Sequence, residues 1–144
     1  MTEKNVLIDA NLLINAVKSE QDAQTDDQRE IIQQAKQRLK QVLTAEDVAL
    51  VITPLVRYEV LRYSKNSEER QRLEQILQAI PVFEISREIG DLAARLYPLK
   101  VKAGMNLNKY NFDLFHFATA KTLGCTIATH DTGFEKLEAL YATL

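Results

Sequence analysis

Apolar and polar positions change period repeatedly along this chain. Asn5 to Asp9 reads as a buried strand ending on an acid, and Val48 to Ile52, with no polar alternation, as a strand covered on both faces. Leu12, Leu13, Ala16 and Val17 recur at helical spacing over Ala10 to Lys18, and Ser19 to Gln28 is polar enough to be a loop or a frayed end. Arg29 to Ala45, with Ile31, Ile32, Ala35, Leu39, Val42 and Leu43, predicts an amphipathic helix. Thr53-Pro54 is an N-cap followed by proline at the first helical position, so a helix starts there and runs to about Tyr63. Ser67 is a candidate cap for the next helix, which reaches Ala79.

Pro81 introduces a short strand over Val82 to Ile85, and Ser86 opens a helix with Ile89, Leu92, Ala93, Leu96 and Tyr97 as its buried stripe. Pro98 is expected to kink or end that helix, and Lys100 to Asn111, basic and amide-rich, to be a loop. Asp113 heads a nearly all-apolar helix; a strand follows over Cys125 to Ala128, then a last helix from Thr132 or Phe134 to Leu144. This alternation predicts one α/β domain over residues 1–144, three layers deep, with a mainly parallel central sheet of four to five strands.

Composition changes this picture little. The 144 residues are 46% hydrophobic and 26% charged, with a net charge of −2, which argues against a polybasic nucleic-acid binder. The single cysteine, Cys125, excludes an internal disulfide framework and suits a reducing compartment; it reads as a buried strand residue. The apolar run Val6 to Leu13 is broken by Asp9 and Asn11 and is too short to span a membrane, so a cytoplasmic location is expected.

The chemistry sits in the acids. Glu68, Glu69, Glu74, Glu135 and Glu138 lie among polar neighbours and read as solvated surface, whereas Asp9, Glu59, Asp113 and Asp131 do not. Asp9 and Asp131 follow strands, so they fall at the carboxyl edge where parallel sheets bind ligands. Glu59 has Leu55, Val56, Val60 and Tyr63 at helical spacing and no capping role. Taken singly, Asp9 also fits a turn, and Asp113 and Asp131 fit helix caps. Converging carboxylates repel, and must protonate or bind cations. An all-oxygen site suits Mg2+ or Mn2+, and in-line hydrolysis of a phosphodiester is chemistry such a site does well.

In these same residues the chain resembles the PIN domain family. Leu7 to Ile14 is similar to its first motif, Thr53 to Leu61 to its second with Glu59 in the acidic slot, Asp113 to Ala120 to its third, and Ile127 to Phe134 to its fourth. The resemblance implies a metal-dependent endoribonuclease acting on RNA, most often the toxin of a type II toxin–antitoxin pair of the VapC kind. It implies Asp9, Glu59, Asp113 and Asp131 as catalytic and metal-binding residues, with Asn11 and Thr129 supporting. A homodimer inhibited by a small antitoxin also follows from it. Two departures stand out: a longer Gln-rich segment from Ser19 to Lys40, and Gly133 where many relatives carry a further acid.

Other residues have plainer readings. His116, three residues after Asp113, reads as packed and hydrogen-bonded rather than as a general base; His130 is more exposed and a possible substrate contact. Arg57, Arg62, Lys100, Lys102 and Lys109 are a candidate basic rim for phosphates, and Tyr58, Tyr63 and Tyr110 candidate stacking residues, each with solvation or packing as its ordinary role. Competing functions are a degenerate PIN-like module that only binds a protein, and a phosphatase of the haloacid-dehalogenase kind. The latter wants a second Asp where Asn11 stands.

Overall fold

Among the described residues, β1, Lys4–Ile8, is the middle strand of a three-stranded parallel sheet in the order β2-β1-β3. β2 is Val48–Val51 and β3 is Thr126–Ala128; Leu7 lies opposite Val51 on one side and Ile127 on the other. The structure, a computed structural model, describes residues 4–105, 111–129 and 131–144.

Side chains alternate across a strand. Val6, Ile8, Leu50 and Ala128 accordingly join one apolar cluster, and Ile127 joins a second on the opposite face. The first cluster is completed by α1 (Ala10–Val17), α2 (Asp26–Thr44), α3 (Pro54–Leu61) and α4 (Ser67–Gln78). The second is built by α5 (Arg87–Lys102), α6 (Asn111–Leu123) and α7 (Gly133–Tyr141). The three-layer α/β arrangement and parallel sheet are as expected. The strand number is not.

Val82 to Ile85 makes only a single bridge, Ile52 to Val82, held by Ile52 N–H to the Pro81 carbonyl at 3.0 Å and Phe83 N–H to the Ile52 carbonyl at 2.8 Å. The reason is local. Thr53 already caps α3, its hydroxyl accepting the Val56 N–H at 3.3 Å, so β2 has only Ile52 left to pair. Pro81 also has no N–H to offer a ladder. As an edge strand, β2 is only half-buried at Val48, Ala49 and Leu50 rather than covered on both faces.

Further differences have equally local causes. A 3₁₀ turn at Glu20–Asp22 and an earlier start of α2, capped by Thr25 accepting from Gln28 N–H at 3.1 Å, order most of the expected loop. Asn66 rather than Ser67 caps α4, its side chain accepting the Glu69 N–H at 2.8 Å. α5 runs through Pro98 to Lys102, so Lys100 to Lys102 are helical rather than loop. Pro98 and Ala94, whose carbonyl loses its partner, both lie on the exposed side, where water can replace the missing N–H. Tyr97 is on that side too, 43% exposed instead of buried. Residues 106–110 lie outside the described residues, and with them Lys109 and Tyr110. Cys125 precedes β3 and is half-buried.

Candidate metal centre

Asp9 directly follows β1 and occupies the N-cap position of α1, yet its carboxylate makes no capping hydrogen bond. The side chain therefore does not serve the turn. Its backbone N–H instead bonds the Ala128 carbonyl at 2.9 Å, tying the end of β1 to the end of β3. One step further, the Thr129 hydroxyl donates to Asp9 Oδ2 at 3.0 Å and accepts the Asp131 N–H at 3.0 Å. Thr129 thus fixes the Asp9 carboxylate relative to the Asp131 backbone. Gly124, at φ 68, makes the turn from α6 that delivers β3 to this position, in the left-handed region that favours glycine.

α6 begins at Asn111, so Asp113 lies inside its first turn rather than at the cap. It is 8% exposed, on a helix whose Leu114, Phe117, Ala118 and Ala120 are all buried. Glu59, on α3, reaches across so that its Oε1 meets His116 Nε2 of α6 at 2.7 Å. Asp131 is half-buried; its Oδ1 accepts the Gly133 N–H at 2.9 Å, a local bond at the start of α7 that engages one of its two oxygens.

Burial pushes the Asp113 carboxyl up to about 7, with Asp9, Asp131 and Glu59 adding to the rise and His116 opposing it. Asp9 is also raised, chiefly by burial; His116 and the Thr129 hydroxyl oppose, while Glu59 and Asp131 reinforce. Glu59 and Asp131 are thus each within electrostatic reach of both Asp9 and Asp113, and the carboxylates repel one another. A divalent cation would relieve that repulsion.

The donor set fits one. An oxygen of Asp9, an oxygen of Asp113 and a ring nitrogen of His116 lie within 4.8 Å of one another, as ligands around one ion do. A ring nitrogen thus stands among the carboxylate oxygens that the sequence put forward alone. His116 is packed and hydrogen-bonded as its sequence context suggests, but the packing is inside the acidic cluster. The signal was its spacing of three from Asp113, which places both on one flank of α6.

The supporting residues divide. Thr129 is in the site, whereas Asn11 is exposed and makes no side-chain hydrogen bond among the described residues. Lys100, expected on a basic rim, is fully buried; burial lowers its ammonium and Asp113 opposes that. Arg62 lies over the rings of Tyr58, Tyr63 and Phe112, at 5.6, 5.4 and 5.9 Å. Tyr58 and Tyr63 remain half-exposed beside it, and Lys102 is exposed. His130 lies outside the described residues. A groove of about 430 Å³ runs between α1, α2, α3 and α4, lined by Ile14, Val17, Ile32, Val60 and Leu73 among others, and includes none of the four acids.

The PIN domain family model matches residues 6–140. No curated protein matches significantly. Among solved structures, a chain of the VapBC-1 structure from nontypeable Haemophilus influenzae is similar, with a TM-score of 0.68 and 18% identity over 94% of this chain and 92% of that one. A chain of VapBC2 from Rickettsia felis, bound to a DNA fragment from its promoter, gives a TM-score of 0.64 and 18% identity over 92% and 91%. A chain from a toxin–antitoxin complex of Klebsiella pneumoniae gives 0.63 and 20% over 88% and 87%. At these identities the likeness is one of fold. With a family model that spans nearly the whole chain, this chain belongs to the PIN domain family.

Proposed function

We propose that this protein is a metal-dependent endoribonuclease that hydrolyses RNA phosphodiester bonds, and that it acts as the toxin of a type II toxin–antitoxin pair. The observation that supports the chemistry is the convergence of Asp9 and Asp113, both buried and both raised in pKa, with Glu59 and Asp131 in electrostatic reach. A buried cluster of this kind is costly as bare anions. Family membership supports the nuclease reading, and fold similarity to chains from toxin–antitoxin complexes supports the toxin reading.

In this reading Asp9 and Asp113 are the principal oxygen ligands for Mg2+ or Mn2+, and Glu59 and Asp131 complete the quartet. A divalent ion held there lowers the pKa of an attacking water and neutralises charge on the scissile phosphate. The chain's own part is positional. Thr129 holds the Asp9 carboxylate, and the apolar packing of α6 keeps Asp113 from turning to solvent. Arg62, with Tyr58 and Tyr63 half-exposed around it, offers a cation and ring faces to a single-stranded RNA.

We further propose a cytoplasmic homodimer neutralised by a small antitoxin. The segment Ser19 to Lys40 supplies one wall of the 430 Å³ groove, which supports a part for it in partner contact. No helix among the described residues is long and apolar enough to cross a membrane.

The reading is tested by incubating the protein with single-stranded and structured RNA with and without divalent ion. Cleavage that needs Mg2+ or Mn2+, and that is abolished by EDTA and by Asp9→Asn with the fold retained, is the expected result. Undiminished cleavage in EDTA or in Asp9→Asn would overturn it. The phosphatase alternative has Asn11 where it needs an acid, and that residue is exposed.

A further inference from the structure

His116 is the one histidine among the described residues, and its surroundings are unlike those of a core histidine. It is 1% exposed and has a ring nitrogen close to carboxylate oxygens of Asp9 and Asp113. Its two ring nitrogens have different fates. Nε2 meets Glu59 Oε1 at 2.7 Å, while Nδ1 is fully buried with no hydrogen-bond partner among the described residues.

A neutral imidazole carries its proton on one nitrogen and a lone pair on the other. A carboxylate can only accept, so Glu59 selects the tautomer with the proton on Nε2 and leaves a lone pair without a protein partner. A buried polar atom left this way is unusual enough to require a reason. Carboxylate holding imidazole, and imidazole holding metal, is a recurrent arrangement around protein-bound ions, in which the carboxylate fixes the ring and raises its basicity. A third observation concerns the same ring: one of its two nitrogens is within 4.8 Å of oxygens from both Asp9 and Asp113.

We propose that His116 supplies a nitrogen ligand to the metal centre, that Glu59 acts on the metal through His116 as its positioning residue, and that the centre therefore prefers Mn2+ to Mg2+. This rests on the metal-dependent reading above. Mg2+ takes oxygen donors in a near-ideal octahedron and gains little from nitrogen, whereas imidazole suits transition ions, and Mn2+ accepts mixed oxygen and nitrogen sets. A His three residues after the helix-leading Asp thus converts an acidic site into a mixed one without adding any other residue.

The experiment uses the full chain and Mn2+ alone. Mn2+ is titrated with free aquo-ion followed by electron paramagnetic resonance, and the bound ion is then examined by pulsed methods for coupling to coordinated 14N. The expected spectrum shows one directly coordinated imidazole, retained in His130→Ala, the chain's other histidine, and lost in His116→Gln. The ratio of Mn2+ to Mg2+ affinity should fall by about tenfold or more in His116→Gln. Glu59→Gln should keep the 14N coupling while weakening Mn2+ about 10- to 100-fold, the usual effect of losing such a partner.

Bound Mn2+ without 14N coupling in the wild-type chain overturns the proposal, and so does coupling that survives His116→Gln. Either result leaves the nuclease reading standing, because the ion is bound. No Mn2+ binding at all would overturn both. If His116→Gln folds poorly, coupling retained in His130→Ala assigns the nitrogen to His116, and coupling lost there overturns the proposal.

Discussion

Asp113→Asn in metal-free protein isolates the electrostatic strain of the centre. In the folded chain the Asp113 carboxyl is raised from its ordinary 3.8 to about 7, burial being the largest cause. The folded state therefore binds this proton more tightly than the unfolded state, and between about pH 4 and pH 7 folding takes a proton up. Stability from this group is greatest at low pH and falls as pH rises through that window, the reverse of a salt-bridged acid. Three decades of proton affinity correspond to about 4 kcal/mol, a ceiling because local relaxation and water entry soften the burial penalty.

Asparagine has the same shape and no charge. In EDTA, Asp113→Asn should match the wild type near pH 3, pull ahead as the pH rises from about 4 to 7, and exceed it by about 1–4 kcal/mol at pH 8. Urea unfolding followed by circular dichroism at several pH values reads this directly. Adding Mn2+ should narrow the gap, since ligand binding stabilises the chain that retains the carboxylate; at one hundred times Kd that is about 2.7 kcal/mol, enough to reverse any smaller difference. A variant no more stable than wild type at pH 8, or a gap that is the same at pH 5 and pH 8, would refute the reasoning.

Two further perturbations probe the support. Thr129→Val removes the hydroxyl that bridges Asp9 Oδ2 and the Asp131 N–H, each at 3.0 Å, and should cost about 1–3 kcal/mol in metal-free stability while pushing the Asp9 carboxyl further up. Carboxyl NMR titration with no additional rise at Asp9 would contradict it. Leu137→Ala, in the fully buried position of α7, should cost about 2–5 kcal/mol by leaving a cavity, yet keep the stoichiometry of Mn2+ binding in the folded fraction. Loss of that stoichiometry would mean that α7 shapes the centre itself.

Much of the fold was legible because local physics dominated it. The uninterrupted apolar runs at Val6 to Ile8 and Val48 to Val51 became strands, and Thr53-Pro54 began a helix, since neither outcome depended on distant partners. Val82 to Ile85 has strand composition, but composition cannot say whether a partner edge is available, and Thr53 had already turned β2 into α3. Pro98 failed to stop α5 because the lost hydrogen bond falls on the exposed side, a fact of packing rather than of sequence.

The centre divides along the same line. Sequence by itself determined that Asp9, Glu59, Asp113 and Asp131 were the unusual acids, because an acid among apolar neighbours is recognisable wherever the chain goes. Only the tertiary structure decided how they share the work. It brought Glu59 from α3 to His116 on α6, seated Thr129 between Asp9 and Asp131, left Asn11 outside and drew Lys100 into the interior beside Asp113. Those relations join residues up to 120 positions apart, and no local period encodes them. They come from helices and two strand ends packed at the carboxyl edge of the sheet, where burial makes the charges feel one another.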